Sequence, residues 1–184
     1  MPKGTTVKTT TITSGTPESE ALLGGTLDAA FMGPRPAINA FIKTKGKVFI
    51  VSGAASGGAG LVVNSSIAGG NFPADLAGRT LSSPSLGNTQ DIALRSWLGT
   101  KGLKSNINGG GQVSIDTGSG NSMSLKHYEA GQIAGGCVHE PYASEFILQA
   151  NGTLSSDEQS LFPNGQFPCP HLPPERERIH HHSG

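Results

Sequence analysis

The strongest constraint on this chain is that it says one thing twice. Residues 25–42 read GTLDAAFMGPRPAINAFI, and residues 131–148 read GQIAGGCVHEPYASEFIL. Laid over each other from Gly25 on Gly131, Leu27 meets Ile133, Met32 meets Val138 and Ala37 meets Ala143. Each copy predicts a helix ending at Gly, a short apolar strand, a Pro-marked loop and a fresh apolar helix. Copies so far apart are no solenoid, whose periods run about 20–50 residues. They predict two similar α/β units, with a cleft between two lobes of the kind that binds small molecules.

Bulk properties exclude several classes. Lys plus Arg equals Asp plus Glu at 13 each over 184 residues, so no basic face marks a nucleic-acid binder. With 27 Gly, 12 Pro and 14% charged residues, the chain suits short elements joined by tight loops, not a helical bundle. No stretch approaches the roughly 20 apolar residues that cross a bilayer. The opening MPKGTTVKTTTITSG lacks the apolar core of a signal peptide. Cys137, in an apolar run, and Cys169, in a Pro-flanked tail, allow at most one disulfide, and their settings weigh against it.

Read along its length, the chain predicts strands at 5–13, 27–32, 47–52, 59–64, 79–83 and, weakly, 112–115. Helices are expected near 16–23, 37–45 and 89–101, the last burying Ile92, Leu94, Trp97 and Leu98. The residues after Asn151 read as loop, and from Phe167 the chain reads as a tail that does not pack. The organisation expected is a partial first lobe over 1–66, a crossover over 67–75, a second lobe over 76–165 and an irregular tail over 166–184.

The sharpest local signal is SLGNTQD, 85–91, between a strand and a helix. Gly87 lets backbone approach a ligand closely, and Asn88 or Thr89 can cap the helix. The free N–H groups that follow then form an anion site, unless the cap only serves its own helix. SGAASGG, 52–58, offers backbone donors and small hydroxyls but lacks the Gly-Lys-Ser/Thr of a phosphate-binding loop. In the two repeat loops, Arg35 is placed to pair with an anion. Glu140 is placed to take an amine or brace its loop, and Tyr142 to stack or hydrogen-bond. For catalysis, Cys137 and His139 are the nearest nucleophile and base, and a strand through both is expected to turn His139 away from Cys137. No metal motif or cofactor fingerprint occurs in the sequence.

The pieces ALLGGTLDAAFMGPRPAINAF, VSGAASGGAGLVV, DLAGRTLSSPSLGNTQDIALRSWL and GQIAGGCVHEPYA, in that order over about residues 5–165, resemble the substrate-binding proteins of ABC transporters for nitrate, sulfonate and taurine. The resemblance implies an α/β, two-lobed periplasmic-binding-protein type II fold. It implies a small anionic or sulfonate-type solute, a permease and ATPase complex at the membrane, an extracytoplasmic location, and a monomer with no catalysis on its ligand. Carried over, the cleft is expected to use Gly33, Pro34, Arg35, Ser52, Gly53, Ala54, Ser56, Gly87, Asn88, Thr89, Gln90, Glu140 and Tyr142. Arg35 stands where the family commonly has Gly, and Tyr142 where it has Trp. Family members carry a strand and helix before the matching segment, so the first lobe is expected to be incomplete. The alternatives are an enzyme on the same fold using Cys137, or a fragment that binds nothing.

Overall fold

Both copies of the repeat begin by closing a helix with the same turn. Helix α1, Gly15–Leu23, ends where Gly25 N–H reaches the Leu22 carbonyl and Thr26 N–H reaches Ala21. Helix α5, Gly120–Glu129, ends where Gly131 N–H reaches Tyr128 and Gln132 N–H reaches His127. This is the Schellman pair of bonds, and it demands a left-handed residue. Gly25 at φ 70 and Gly131 at φ 71 supply it. The equivalences continue inward: Met32 and Val138 are buried, as are Ala37 and Ala143.

The computed structural model describes residues 4–157, 160, 164 and 168–171. After α1 come α2 (Pro34–Lys43), β1 (Gly53–Ser56), β2 (Ala59–Asn64), α3 (Ser65–Ala68), β3 (Thr80–Ser82) and α4 (Thr89–Thr100). Then follow β4 (Ser114–Asp116), α5, β5 (Gly135–His139), α6 (Tyr142–Ala150), β6 (Gly152–Asp157) and β7 (Pro168–His171). A five-stranded sheet runs β4-β3-β5-β2-β6, with β3 parallel to β4 and β5, and β2 antiparallel to β5 and β6. The alternation along β2 feeds two cores: Leu61 and Val63 pack with Leu94, Trp97 and Leu98, while Val62 packs with Tyr128, Val138 and Phe146. A third cluster, Leu22, Ala30, Met32, Ala37, Ala40 and Val48, joins α1 to α2.

Several expectations are revised. Residues 27–32 and 47–52 form no strand among the described residues, only single bridge positions at Ala29, Met32 and Val48. Ala30, Met32 and Val48 are held by side-chain packing in the third cluster instead. Residues 5–12 adopt no regular element. Gly53–Ser56, read as part of a loop, forms β1 and pairs antiparallel with β7, within the segment expected to be an unpacked tail. Small residues leave that backbone open to a partner, and the prolines of PCPH favour extended chain while sitting on an outer strand. Residues 152–157, also read as loop, form edge strand β6. The sheet likewise takes β2 between β5 and β6, although the sequence grouped 59–64 with the first lobe. The Cys169 side chain lies outside the described residues, as do the three consecutive histidines of the tail.

Candidate functional site

Helix α4 shows how its start is built. The Asn88 side chain accepts from Asp91 N–H at 2.8 Å, and Asp91 reaches back to accept from Gly87 N–H at 2.8 Å. Asp91, fully buried, also accepts from Ser83 Oγ and pairs with Arg95 at 3.0 Å. The first intrahelical bond is Ile92 N–H to Asn88 O. Asn88 therefore caps its own helix, and the amides left over are those of Thr89 and Gln90, the first two helical residues.

Those amides border a cleft of about 790 Å³. The cleft gathers the N-terminal turns of five helices: Ser14, Gly15, Pro17 and Glu18 of α1, Gly33 and Pro36 of α2, Asn88–Gln90 of α4, Ser119–Ser122 of α5, and Glu140 with Tyr142 at α6. Thr11–Thr13, Phe31, Met32, Gly57, Gly58, Pro84, Ser85, Thr117, Gly118 and His139 complete the wall. The α1 side touches the turn before α4 through Ser85 Oγ to Thr16 Oγ1 at 3.4 Å and Thr16 Oγ1 to Leu86 O at 3.5 Å. Gly33 lies so close to Thr89 that a Cβ there would stand 2.3 Å from Thr89 Oγ1. That hydroxyl oxygen is buried without a hydrogen-bond partner.

Of the residues expected from sequence, the cleft brings together Gly33, Asn88, Thr89, Gln90, Glu140 and Tyr142. Pro34, Arg35, Ser52, Gly53, Ala54, Ser56 and Gly87 are not in its wall. Arg35 is exposed on α2, and Gly53–Ser56 belong to β1. From the span 52–58 only Gly57 and Gly58 reach the cleft, where the Gly58 carbonyl accepts from Glu140 N–H at 2.7 Å. The Glu140 carboxylate accepts from Ser144 N–H at 3.1 Å, bracing the start of α6.

Three polar groups in the wall, Glu18, Asn121 and His139, were not among the expected binding residues. The Glu18 side chain has no hydrogen-bond or ionic partner among the described residues, and burial pushes its carboxyl up to about 7. His139 and Asn121 form a chain: His139 Nδ1 lies 2.7 Å from the Glu140 carbonyl, and Nε2 lies 2.8 Å from Asn121 Nδ2. A carbonyl only accepts, so Nδ1 donates to it, and with Asn121 Nδ2 as the facing donor Nε2 accepts from the amide. Asn121 Oδ1 is left buried and unpartnered. A helix-start turn of Gly, Asn and Ser is too common to have flagged Asn121.

The groups that suggest catalysis have structural occupations. Residues two apart on a strand share a face of the pleat, which corrects the expectation that His139 turns away from Cys137. Depth separates them instead: Cys137 is 2% exposed inside the apolar core, while His139 reaches the cleft. Near Thr117, Ser119 Oγ donates to Asp116 at 2.5 Å and lies 3.3 Å from His127 Nδ1. Burial would raise the Asp116 carboxyl, but the bonds from Ser119 and Gly118, with His127 nearby, hold it below its usual value. Ser119 is tied into the carboxylate that shapes its own turn. Among the described residues no group of His, Cys, Asp and Glu is arranged to hold a metal, and no helix is long and apolar enough to cross a membrane.

A model of the NMT1-like family matches residues 2–177. The alkanesulfonate-binding protein SsuA from Xanthomonas axonopodis pv. citri, solved with MOPS, superposes at a TM-score of 0.71 and 17% identity over 92% of this chain and 55% of its own. The periplasmic nitrate-binding protein NrtA from Synechocystis PCC 6803 gives 0.73 and 15% over 92% and 47%. The ligand-binding component of an ABC-type import system from Staphylococcus aureus, solved with zinc, gives 0.73 and 17% over 93% and 56%. The chain thus spans about half the length of these solved structures and has the periplasmic-binding-protein fold, with one lobe incomplete relative to them. No curated protein sequence matches it significantly.

Proposed function

This chain belongs to the NMT1-like family, and on that premise we propose that it is the solute-binding component of an ABC importer, holding a small anionic or sulfonate-type solute between two lobes. One observation carries the reading: the starts of five helices meet at one cleft, with the Thr89 and Gln90 amides left over by the Asn88 cap. Helix N-termini present positive partial charge and free donors, which suits a sulfonate, carboxylate or nitrate. β2, from Ala59 onward, is hydrogen-bonded between β5 and β6 in the five-stranded sheet, which supports a change of lobe near Gly57–Gly58. Ligand capture works by closure: the solute stabilises whichever arrangement of the walls it binds more tightly. A membrane permease and its ATPase receive the solute from a monomeric protein outside the cytoplasmic membrane, with no chemistry on the ligand. The burial of Cys137 supports binding over nucleophilic catalysis.

Titration calorimetry with nitrate, ethanesulfonate, longer alkanesulfonates and taurine tests the reading. Saturable heat from at least one is expected, weakened by Thr89→Pro, which removes one of the two spare amides. Absence of heat and of thermal shift with all four classes would overturn it.

A further inference from the structure

Helix α2 is apolar on two sides. Ala37 and Ala40 are buried in the third cluster, while Ile38, Phe41 and Ile42, round the helix from them, are 53%, 49% and 66% exposed. A helix apolar all round normally has both sides covered. The charge beside the outer stripe is of one sign. Residues 34–47 hold Arg35, Lys43, Lys45 and Lys47 and no Asp or Glu, in a chain whose charges balance overall at 13 of each. Arg35 stands at one end of the stripe and Lys43 and Lys45 at the other, all three exposed. The turn that closes α2 keeps Lys45 there: its N–H reaches the Ile42 carbonyl, and Gly46 N–H reaches the Phe41 carbonyl. Gly46 also packs on the Phe41 ring, where a Cβ would stand 3.5 Å from Cε2. Lys45 itself adopts φ 53, a conformation that Gly takes more readily, so the chain holds a cation beside the stripe at some local cost.

We propose that α2 docks the protein on an anionic lipid surface, with Ile38, Phe41 and Ile42 among the acyl chains and Arg35, Lys43 and Lys45 on headgroup phosphates. Charge complementarity selects this occupant. A second copy on the same face would set the cations of one α2 against those of the other. An anionic bilayer supplies an apolar interior and negative charge at one boundary, and the long stems of Lys and Arg let their charges stay at the headgroups. The helix lies on the membrane and does not cross it, since its 10 residues fall short of the roughly 20 that span. The inference is independent of which solute the cleft takes.

Co-sedimentation with vesicles tests it, comparing equal parts phosphatidylcholine and phosphatidylglycerol with phosphatidylcholine alone. Binding to the anionic vesicles is expected to be at least about tenfold tighter and to fall as salt is added. Lys43→Gln combined with Lys45→Gln is expected to weaken it by roughly twentyfold, at about fivefold for each cation near the surface. Ile42→Asp is expected to abolish it with an unchanged circular dichroism spectrum, because that side chain supports no buried contact cluster. Lys104→Gln, an exposed cation outside α2, is expected to leave it unaltered. No binding to either vesicle, or equal binding to both, overturns the proposal, as does a loss in Lys104→Gln matching that of the α2 variants. Concentration-dependent dimerisation in sedimentation that Ile42→Asp removes would assign the face to a second copy instead. A helical peptide with a Leu face flanked by Glu that binds α2 where vesicles do not would make it a protein interface, and the lipid proposal would fall.

Discussion

At the scale of single residues, the cleft concentrates groups whose local cost is visible. Glu18 is partly buried with no counter-charge, and its carboxyl titrates near 7 in the folded chain against 4.5 ordinarily. The other ionisable side chains in the cleft wall are Glu140 and His139, while Arg35 on α2 and Glu20 on α1 are exposed outside it. Between those two values the folded state holds more protons than the unfolded state. Stability contributed through Glu18 is therefore present below about pH 4.5 and lost as pH rises through about 7. Glu18→Gln removes that loss. Its melting temperature is expected to exceed the parent's by about 2–4 °C at pH 8, the equivalent of about 1 kcal/mol for a domain of this size, and to match it near pH 4.5. An equal gain at both values in thermal scans would mean that the carboxylate charge is not the cause. Gly33 is constrained differently. A methyl group there would stand 2.3 Å from Thr89 Oγ1 and 3.2 Å from Thr89 Cβ, so Gly33→Ala is expected to destabilise by about 1–3 kcal/mol in urea unfolding. Gly87→Ala meets no atom within 4 Å and suffers only its left-handed φ of 71, about 1 kcal/mol. Equal costs would show that contact with Thr89 is not what keeps Gly33 small.

The individual elements show which features could be read in advance. Helix ends were legible because one residue type decides them: Gly25, Gly131 and Gly102 each sit where a left-handed residue closes a helix. The α4 cap was legible to within one residue, as Asn88 or Thr89, and the bond from Asp91 N–H settles it on Asn88. Strands β1, β6 and β7 were not, because GAAS, GTLSSD and PCPH carry no apolar alternation, and their pairing depends on partners elsewhere in the chain. The α4 side of the cleft was visible as a capped helix start, but the rest of its wall depends on residues from α1, β5 and α5 that only folding brings together. Two element-level tests follow. Asn88→Ala removes the bond to Asp91 N–H and is expected to lower stability by about 1 kcal/mol. In β5, a Cβ on Gly135 would lie 2.2 Å from the Val62 carbonyl oxygen and 2.7 Å from Val63 Cα, and neither backbone atom can step aside. Gly135→Ala is expected to cost about 3 kcal/mol, the upper end of overpacking penalties. A near-neutral result in chemical denaturation would mean that β2 and β5 are held less tightly than their registry implies.

At the scale of the whole molecule, the two copies of the repeat have unequal support. The second copy supplies β5, flanked by β3 and β2 and sealed on both faces by the cores that bury Leu94, Trp97, Val138 and Phe146. The first copy supplies α2 and a segment with only isolated bridges, backed by the smaller cluster around Leu22, Met32 and Ala40. The outer face of α2 exposes Ile38, Phe41 and Ile42, the last at 66%. A fully buried apolar side chain contributes about 1.5–3 kcal/mol relative to an exposed one, so the first unit gains less from burial than the second. The chain should therefore open in two steps, α1 and α2 ahead of the sheet. Native-state hydrogen exchange at increasing denaturant is expected to place the amides of Leu22 and Ala40 in a lower-energy opening than those of Val62 and Val138. The cleft couples the two units, because α1 contributes one wall and α4, α5 and α6 the others. A solute held between those walls stabilises both together, so protection of α1 and α2 should rise by RT ln(1 + [L]/Kd) when taurine is present in excess. Exchange of α1 and α2 already as slow as that of β5 without ligand would refute the two-step picture. A ligand effect confined to the sheet would instead mean that the solute is held by the second unit alone, with α1 outside its reach.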